Sequence, residues 1–239
     1  MSVDPRAIIA ANNNADLYAA MFASRKLGYE RLPHAFVGID RPPPYYSNLT
    51  VLAPGHADDI AVELGWLAAK FNGAMGIKDS FGELELRANG FELLFGASWI
   101  WRDAVPQAGQ GGWQRIEAEG DLALWEAAWI QAGSPAPDRM FPPGLLDRRD
   151  VFFLCSRVDG VIEAGCIANV STGCIGISNV FARAAAKDVF AQAAAAVGRV
   201  APHLPVAGYE SGKELGHALA AGFVSVGDLR ILGAKAARF

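Results

Sequence analysis

The chain has 239 residues, which allows one large domain or two small ones. Its 21 basic and 25 acidic residues give a net charge of −4 without a basic stripe, a composition that argues against nucleic-acid binding. A hydrophobic content of 52% predicts a folded protein, and the lack of a long apolar run or a signal-peptide pattern predicts a cytoplasmic protein with no membrane partner.

The first predicted elements are a helix over residues 15–27 and a strand over residues 35–39. The Arg-Pro-Pro-Pro-Tyr segment at 41–45 is interpreted as a stiff connection, with a ligand for a polyproline-binding module as the alternative. A second strand contains Ser47-Asn48, and the helix after it has one apolar face. That face consists of Ile60, Leu64, Leu67, Ala68 and Phe71.

A strand over residues 74–78 then leads to Ser80 and Glu83, which have the spacing of a capping box. The box predicts a short helix, which Gly90 ends in left-handed geometry before a strand over residues 91–101. Residues 105–112 are rich in Gly, Gln and Pro and form the predicted linker. We call the parts on either side, residues 1–105 and 113–239, the first and second units.

The second unit begins with a helix and a hairpin, whose strands at 151–158 and 161–170 are joined by Asp159-Gly160, a strong hairpin signal. A strand over residues 176–182 and a longer helix follow. The apolar faces are Leu122, Trp125 and Trp129 on the first helix, and Val189, Ala193, Val197 and Val200 on the second.

The last elements of the second unit repeat those of the first. A strand over residues 206–209 leads to a second capping box, Ser211 with Glu214, and then to Gly222 and a strand over residues 223–232. Each box therefore predicts an N-cap serine.

An internal repeat relates the two units. Ser47-Asn48 recurs 131 positions later as Ser178-Asn179, and segment 79–84 recurs at 210–215 with the same shift. The repeat predicts that both units have one α/β architecture, with strand, helix, strand, helix and strand in order. The first unit has a single predicted strand where the second has a hairpin, so we expect it to be truncated by about one hairpin.

The order of elements in the second unit resembles that of the GCN5-related N-acetyltransferases. Segments 206–211 (Val-Ala-Gly-Tyr-Glu-Ser) and 222–227 (Gly-Phe-Val-Ser-Val-Gly) are similar to the family's fifth strand and to its last strand, which begins with Gly-Phe. The resemblance implies an α/β fold with a mixed sheet, built from two tandem acetyltransferase-like units of which the first is degenerate. It also implies that acyl-CoA binds where the fourth and fifth strands separate.

With acetyl-CoA as the acyl donor, the resemblance implies that the fourth strand binds the pantetheine arm and that the next loop binds the pyrophosphate. The residues assigned in this way are Val180, Phe181, Ala182, Arg183, Lys187 and Asp188. The loop departs from the family because it has no glycine to admit a phosphate close to the backbone. We therefore expect weak, salt-sensitive binding through the side chains of Arg183 and Lys187.

Glu210, Tyr209 and Asn179 are the candidate catalytic residues. Glu210 either takes the proton of an amine or is a structural carboxylate at a helix start. Asn179 either polarises the acyl carbonyl or closes a strand kink. The tyrosine that family members often use as the general acid is replaced by Ala218.

No metal site is predicted. Cys155, Cys166 and Cys174 lie in apolar stretches without CxxC spacing, which predicts buried, reduced thiols. The histidines have no partner four residues away and no cysteine nearby. Trp125 and Trp129 are expected to pack in the core, with the lining of an acceptor pocket as the alternative.

The function implied by the resemblance is N-acyl transfer from acyl-CoA to a small amine. The amine would attack the thioester directly, because no activated serine or cysteine is evident. The first unit would cover the site or set its specificity. The alternative is a non-catalytic protein of this fold that binds a small molecule or a protein partner, and a cleft filled by Phe181 and Phe190 would favour it. A homodimer is compatible with the sequence.

Overall fold

The computed structural model describes residues 2–85, 90–104, 112–134, 136, 139–184 and 188–234. These residues form five α-helices: α1 (Pro5–Ser24), α2 (Ala57–Phe71), α3 (Glu119–Gln131), α4 (Val189–Val200) and α5 (Gly212–Ala220). Their eleven strands are β1 (Tyr29–Arg31), β2 (Ala35–Gly38), β3 (Leu49–Val51), β4 (Gly76–Asp79), β5 (Phe91–Arg102), β6 (Trp113–Arg115), β7 (Val151–Val158), β8 (Val161–Ser171), β9 (Cys174–Ala182), β10 (Val206–Glu210) and β11 (Val224–Ala234). Within the described ranges, no helix has both the length and the apolarity that crossing a bilayer requires.

All of these strands join one mixed sheet, in the order β1-β2-β3-β4-β11-β5-β10-β9-β8-β7-β6. The predicted α/β class with a mixed sheet is therefore confirmed. Helices α1 and α3 pack on one face of the sheet, and α2, α4 and α5 pack on the other. Successive side chains of a strand point to opposite faces of the sheet, so the apolar cores on the two faces contain alternate residues. Ile77, for example, packs under α2, whereas the next residue, Lys78, lies on the α1 face.

The final strands of the two predicted units are exchanged within this sheet. β11 lies between β4 and β5 and is antiparallel to both, and β5 in turn pairs antiparallel with β10. Each unit's penultimate strand therefore pairs with the last strand of the other unit. The sheet is continuous across the predicted linker, whose residues 105–111 lie outside the described ranges. The division at 105–112 stays a prediction.

Helix α1 is held against the second unit by a buried pair of amides. The Asn13 side chain donates to the Asn169 carbonyl oxygen at 3.0 Å, and the Asn169 side chain donates to the Asn13 carbonyl oxygen at 2.9 Å. Gly176 is required beneath them, because a Cβ there would lie 2.1 Å from Asn13 Oδ1. The helix begins at Pro5 with Asp4 as its N-cap, earlier than the predicted start at residue 15, because small alanines pack where larger apolar residues were expected.

Two short strands were missed by sequence reasoning. β1 pairs antiparallel with β2, with Tyr29 opposite Gly38, so the expectation that the first unit lacks a hairpin was wrong. All three residues of β1 are exposed, and an exposed edge strand has no apolar alternation to reveal it. β6 pairs with β7 at the opposite edge. The Asp159-Gly160 hairpin is confirmed, with both residues at positive φ (49° and 81°).

Gly222 follows α5 with φ of 88°, the left-handed geometry expected of it. Gly90 also has a positive φ of 81°, but the short helix predicted to begin at Ser80 was wrong at its start, because residues 80–85 are not helical, and residues 86–89 lie outside the described ranges. The capping boxes were wrong, because the hydroxyl of Ser80 has no hydrogen-bond partner among the described residues. Ser211 is the N-cap of α5 by position, but its side chain makes no capping hydrogen bond there. In the first unit Asp79 takes the role instead, accepting from the backbone N–H groups of Glu83 and Leu84.

Candidate active site

Strands β9 and β10 separate near the middle of the sheet. They pair in parallel only at Ile175 with Val206 and at Gly176 with Ala207. At the next position a Cβ on Gly208 would lie 2.6 Å from the Ile177 carbonyl oxygen, so glycine permits the closest approach there. Beyond this point no described pairing joins the two strands, and a cleft opens where the fourth and fifth strands of the predicted fold meet.

A β-bulge lies on the β9 side of this cleft. Between the pairs Gly165–Phe181 and Ile167–Ser178, β8 contributes one residue and β9 contributes two. Asn179, one of the two, has φ of 52°, a left-handed conformation that asparagine tolerates better than most residues. Bulges bend a strand and free its backbone polar groups, so this one widens the separation of β9 from β10.

The cleft opens into a cavity of about 390 Å³. β9 contributes Ser178, Asn179 and Val180, and β10 contributes Tyr209 and Glu210. All three candidate catalytic residues therefore lie around one cavity. The remaining lining residues are Asn14, Leu17, Tyr18, Tyr45, Tyr46, Trp129, Gly133, Ser134, Met140 and Phe141.

The first unit supplies one wall of the cavity, which is rich in aromatic side chains. Tyr18 of α1 packs on Tyr46 with ring centroids 4.6 Å apart, and Tyr45 packs edge-on against Trp129 at 6.3 Å. Trp129 thus lines the cavity, whereas Trp125 is fully buried in the core and donates its indole N–H to the Leu154 carbonyl oxygen. The two tryptophans that the sequence grouped together have different roles.

A buried glutamate orders another part of the cavity lining. Glu126 of α3 accepts hydrogen bonds from the backbone N–H groups of Met140 and Phe141 and from the Arg139 side chain. Arg25, just after α1, donates to the carbonyl oxygens of Arg139 and Met140 at 2.8 and 2.7 Å. The segment that carries Met140 and Phe141 is therefore fixed by both units.

Glu210 is the carboxylate of the cavity. Burial, with a smaller contribution from the nearby Glu214 charge, raises the pKa of Glu210 to about 8. A carboxyl with this pKa exchanges a proton near neutral pH, which is the property required of a general base.

Lys78 is a buried cation behind the cavity, and sequence reasoning missed it. Its ammonium donates to Asn14 Oδ1 at 2.6 Å and lies 4.7 Å and 4.2 Å from the ring centroids of Tyr18 and Tyr209. It has no carboxylate partner within ion-pair distance among the described residues. Burial acts to lower the pKa of Lys78, but the combined effect of the adjoining Tyr18 and Tyr209 is larger and raises it. The side chain therefore stays charged. Lys78 precedes Tyr209 by 131 positions, and this repeat was the signal that could have drawn attention to it.

The residues predicted to hold the cofactor are not all in the cleft. Val180 lines the cavity, and Ala182 ends β9. Phe181 does not line it, because its ring packs edge-on against Trp125 at 5.0 Å on the core side. Phe190 packs against Phe223 in the core under α4. Neither phenylalanine fills the cleft.

The predicted phosphate loop is described only at its ends. Arg183 lies 3.7 Å from Glu163, with about a third of its side chain exposed. Asp188 is the N-cap residue of α4 and accepts a hydrogen bond from the Gln192 side chain at 2.7 Å. Lys187 lies outside the described residues. These three residues stay predicted phosphate contacts.

The corresponding strands of the first unit are closed. β3 and β4 pair at Leu49 with Ile77 and at Thr50 with Lys78, positions whose counterparts by the 131-residue shift do not pair with each other in the second unit. The prediction that Ser47-Asn48 lies within a strand was wrong, because β3 begins at Leu49, whereas Ser178-Asn179 lies within β9. Asn48 joins β3 and β4 from this position, since its backbone N–H donates to the Gly76 carbonyl oxygen and its Oδ1 accepts from the Gly76 N–H at 3.0 Å. The pair leaves no opening of the kind found between β9 and β10.

The cysteines are not part of the site. All three are free and buried, as predicted, and burial raises the pKa of each thiol, that of Cys174 to about 12. Ala218, the position of the missing family tyrosine, is buried in the core under α4 and also lies away from the cavity.

Solved structures share this architecture over nearly the whole chain. A GCN5-related N-acetyltransferase from Kribbella flavida is 11% identical with a TM-score of 0.60, and the match covers 95% of each chain. One from Sphaerobacter thermophilus is 12% identical with a TM-score of 0.55, covering 94% of this chain and 89% of that one. A functionally unknown conserved protein from Staphylococcus epidermidis is 13% identical with a TM-score of 0.60, covering 87% and 94%.

The sequence matches no protein-family model and no curated protein at a significant level. The likeness therefore concerns the fold, and it extends over both predicted units rather than the second alone. This chain has the fold of the GCN5-related N-acetyltransferases.

Proposed function

We propose that the protein is an N-acyltransferase that moves an acyl group from acyl-CoA to a small amine in the cavity at the β9–β10 cleft. The observation that carries the proposal is the open cleft itself, which has a bulge on one strand and a proton-exchanging carboxylate on the other. A parallel pair that separates in this way presents backbone polar groups to a ligand instead of to each other.

The pantetheine arm would enter along β9, next to Asn179 and Val180. Backbone groups released by the bulge would pair with its amides, and the thioester would then lie near the ends of β9 and β10. Asn179 would orient or polarise the acyl carbonyl there.

Glu210 would serve as the general base. The amine nitrogen attacks the thioester carbonyl carbon, its proton passes to the Glu210 carboxylate, and the carbon–sulfur bond breaks. The departing thiolate would take a proton from Tyr209, whose developing negative charge the Lys78 ammonium stabilises. This route removes the need for the family's tyrosine at position 218.

The aromatic wall supports an amine as the acceptor. Tyr18, Tyr45, Tyr46 and Trp129 line the cavity together with Glu210, and faces of aromatic rings attract ammonium groups. An acceptor that arrives as an ammonium ion would be held by the rings and would lose one proton to solvent before it attacks, which leaves the Glu210 carboxylate able to accept the second proton. The first unit would thus set acceptor specificity.

A non-catalytic binding protein is the competing function, and the cleft argues against it. Phe181 and Phe190 were the side chains expected to fill the cleft in that case, and both pack in the core instead.

The test is a CoA-release assay with acetyl-CoA and a panel of small primary amines. We expect amine-dependent release of free CoA by the native protein and its loss in Ser178→Trp, because an indole at this lining position occupies the cleft. Ser225→Trp is the matched control, since Ser225 is exposed on β11 and does not line the cavity.

Equal release by the Ser178→Trp and Ser225→Trp variants would place the reaction elsewhere. No release with any amine, despite acetyl-CoA binding, would favour the non-catalytic function.

A further inference from the structure

Two histidines and an aspartate of the first unit converge at the start of α2, away from the residues that line the cavity. His34 precedes β2, whereas His56 and Asp59 belong to the start of α2. Each offers one ligand atom, and these three atoms all lie within 4.8 Å of one another. The spacing in sequence gave no hint of the cluster, because the 21 residues between His34 and His56 bring these histidines together only through the β2–β3 pairing.

His34 contributes a nitrogen without a partner. Its Nε2 is buried and has no hydrogen-bond partner among the described residues, which leaves a lone pair or a proton unsatisfied. The backbone of His34 is held by the sheet, since the His34 carbonyl oxygen accepts from the Leu52 N–H at 2.8 Å. A half-buried imidazole on this backbone, with an unpaired nitrogen, has the properties of a metal ligand.

His56 and Asp59 complete the group. His56 Nδ1 lies 2.8 Å from Asp59 Oδ2, and the His56 ring stacks on that of His34 with centroids 5.5 Å apart. Two imidazoles and one carboxylate form a donor set that suits zinc and neighbouring transition metals, and it leaves a fourth position for water.

The surroundings favour a cation over an anion at this place. In the second unit the corresponding loop is the predicted phosphate contact, but here the Gly55 N–H already donates to the Glu83 carboxylate at 2.7 Å. The first turn of α2 also carries Asp58 and Asp59. A phosphate would meet these carboxylates, whereas a divalent cation would be attracted by them.

We propose that His34, His56 and Asp59 bind one divalent transition-metal ion of the zinc class. Bound metal would bring each ligand atom to about 2.0–2.2 Å, which needs only small side-chain rotations from the observed cluster. The ion would join the β2–β3 edge of the sheet to the start of α2. The first unit would then hold a metal where the second unit is predicted to hold the phosphates of its cofactor.

The test uses the untagged full-length protein with Zn²⁺ and Co²⁺ as probes. Calorimetry should give one Zn²⁺ per chain, and Co²⁺ should give visible absorption bands that added Zn²⁺ removes. His34→Gln and His56→Gln should each weaken binding about tenfold or more, because each removes a direct ligand. Asp59→Asn should also weaken it, and this exposed change is not expected to affect folding.

His217→Gln is the matched control. His217 Nδ1 lies 3.0 Å from Glu214 Oε2, an imidazole–carboxylate pair of the same kind without a second histidine. It should leave Zn²⁺ binding unchanged. Circular dichroism without metal will show whether the histidine variants are folded, and Asp59→Asn decides the matter if they are not. No Zn²⁺ binding, or binding that is equally strong in Asp59→Asn and His217→Gln, would overturn the proposal.

Discussion

The two pairs of parallel strands at the centre of the repeat differ in one respect, which determines what each can do. β3 and β4 of the first unit stay paired at Leu49 with Ile77, whereas the positions related by the repeat, Val180 and Gly208, do not pair with each other in the second unit. The repeated asparagine marks the difference. Asn48 joins the first pair, but Asn179 lies in a left-handed bulge beside the open cleft. One repeated sequence therefore supports a closed structural pair and an open, ligand-sized one.

The acids that follow these strands differ in the same way. Asp79 is fully buried, pairs with Arg230 at 2.6 Å and caps the turn after β4. Glu210 faces the cavity with its pKa raised to about 8. The repeat aligns the two acids, but their surroundings separate a structural carboxylate from a candidate base.

Substitutions of these two acids should differ most in their effect on the rate of acyl transfer. Glu210→Gln should reduce acyl transfer by roughly 10²- to 10⁴-fold with little change in acetyl-CoA affinity, because the amine loses its proton acceptor. Asp79→Asn is the matched change in the first unit. It should lower the free energy of unfolding through the weakened Arg230 contact while the rate per folded molecule changes little. Steady-state kinetics and urea titration of both variants test this, and similar activity losses at both positions would erase the distinction.

A second prediction concerns stability against pH. In the folded protein Glu210 binds its proton with a pKa of about 8, compared with about 4.5 when it is free, so the folded state holds more protons between these values. The free energy of unfolding should therefore fall as pH rises from 5 to 9, by roughly 2–4 kcal/mol from this group. Glu210→Gln should remove that part of the decline. Urea titrations across this pH range check it, and an identical decline in the variant would show that Glu210 is not buried as described.

Substitution of the two repeated asparagines should have smaller effects on stability, and the effects should differ between the two positions. Asn48→Gly should cost about 1–2 kcal/mol, because it removes the hydrogen bond to the Gly76 N–H. Asn179→Gly should change stability by less than about 0.5 kcal/mol, since glycine readily adopts the left-handed conformation of the bulge. Denaturant titration compares the two directly. Equal losses would indicate that Asn179 also holds its strands together.

Arg183 carries the smallest expected effect. Arg183→Ala should weaken acetyl-CoA binding by roughly threefold to fivefold at low salt and by less at high salt, as expected for an exposed contact with phosphate. Arg157→Ala is the control, since Arg157 lies near Arg183 but pairs with Asp121 at 2.6 Å. Calorimetry at two salt concentrations measures the difference. If both variants bind as the native protein does, the phosphate is held elsewhere.

Local sequence signals predicted much of this fold. Apolar periodicity located α2, α3 and α4, and Asp159-Gly160 and Gly222 placed a hairpin and a helix end correctly. These features depend on residues close together in the chain. The open cleft was expected from the family resemblance, and four of the predicted site residues line its cavity. They are Asn179, Val180, Tyr209 and Glu210.

The features that failed depend on tertiary contacts. No local sequence signal predicts the exchange of β5 and β11, because either strand could pair with β4 or with β10 on the basis of its own residues. Lys78 and the tyrosines of the cavity wall reach the site only through α1 and the shared sheet. Ser80 has the right spacing for an N-cap, but Asp79 offers a charged acceptor next to it and takes the backbone N–H groups.

We propose that the second unit has an acyl-CoA cleft, whereas the corresponding strands of the first unit are closed. Calorimetric titration of the full-length protein with acetyl-CoA tests this difference most directly, because the stoichiometry counts the open clefts. We expect one acetyl-CoA per chain, lost in Ser178→Trp and kept in Ser225→Trp. Two equivalents per chain, or no heat and no thermal shift at millimolar acetyl-CoA, would contradict it.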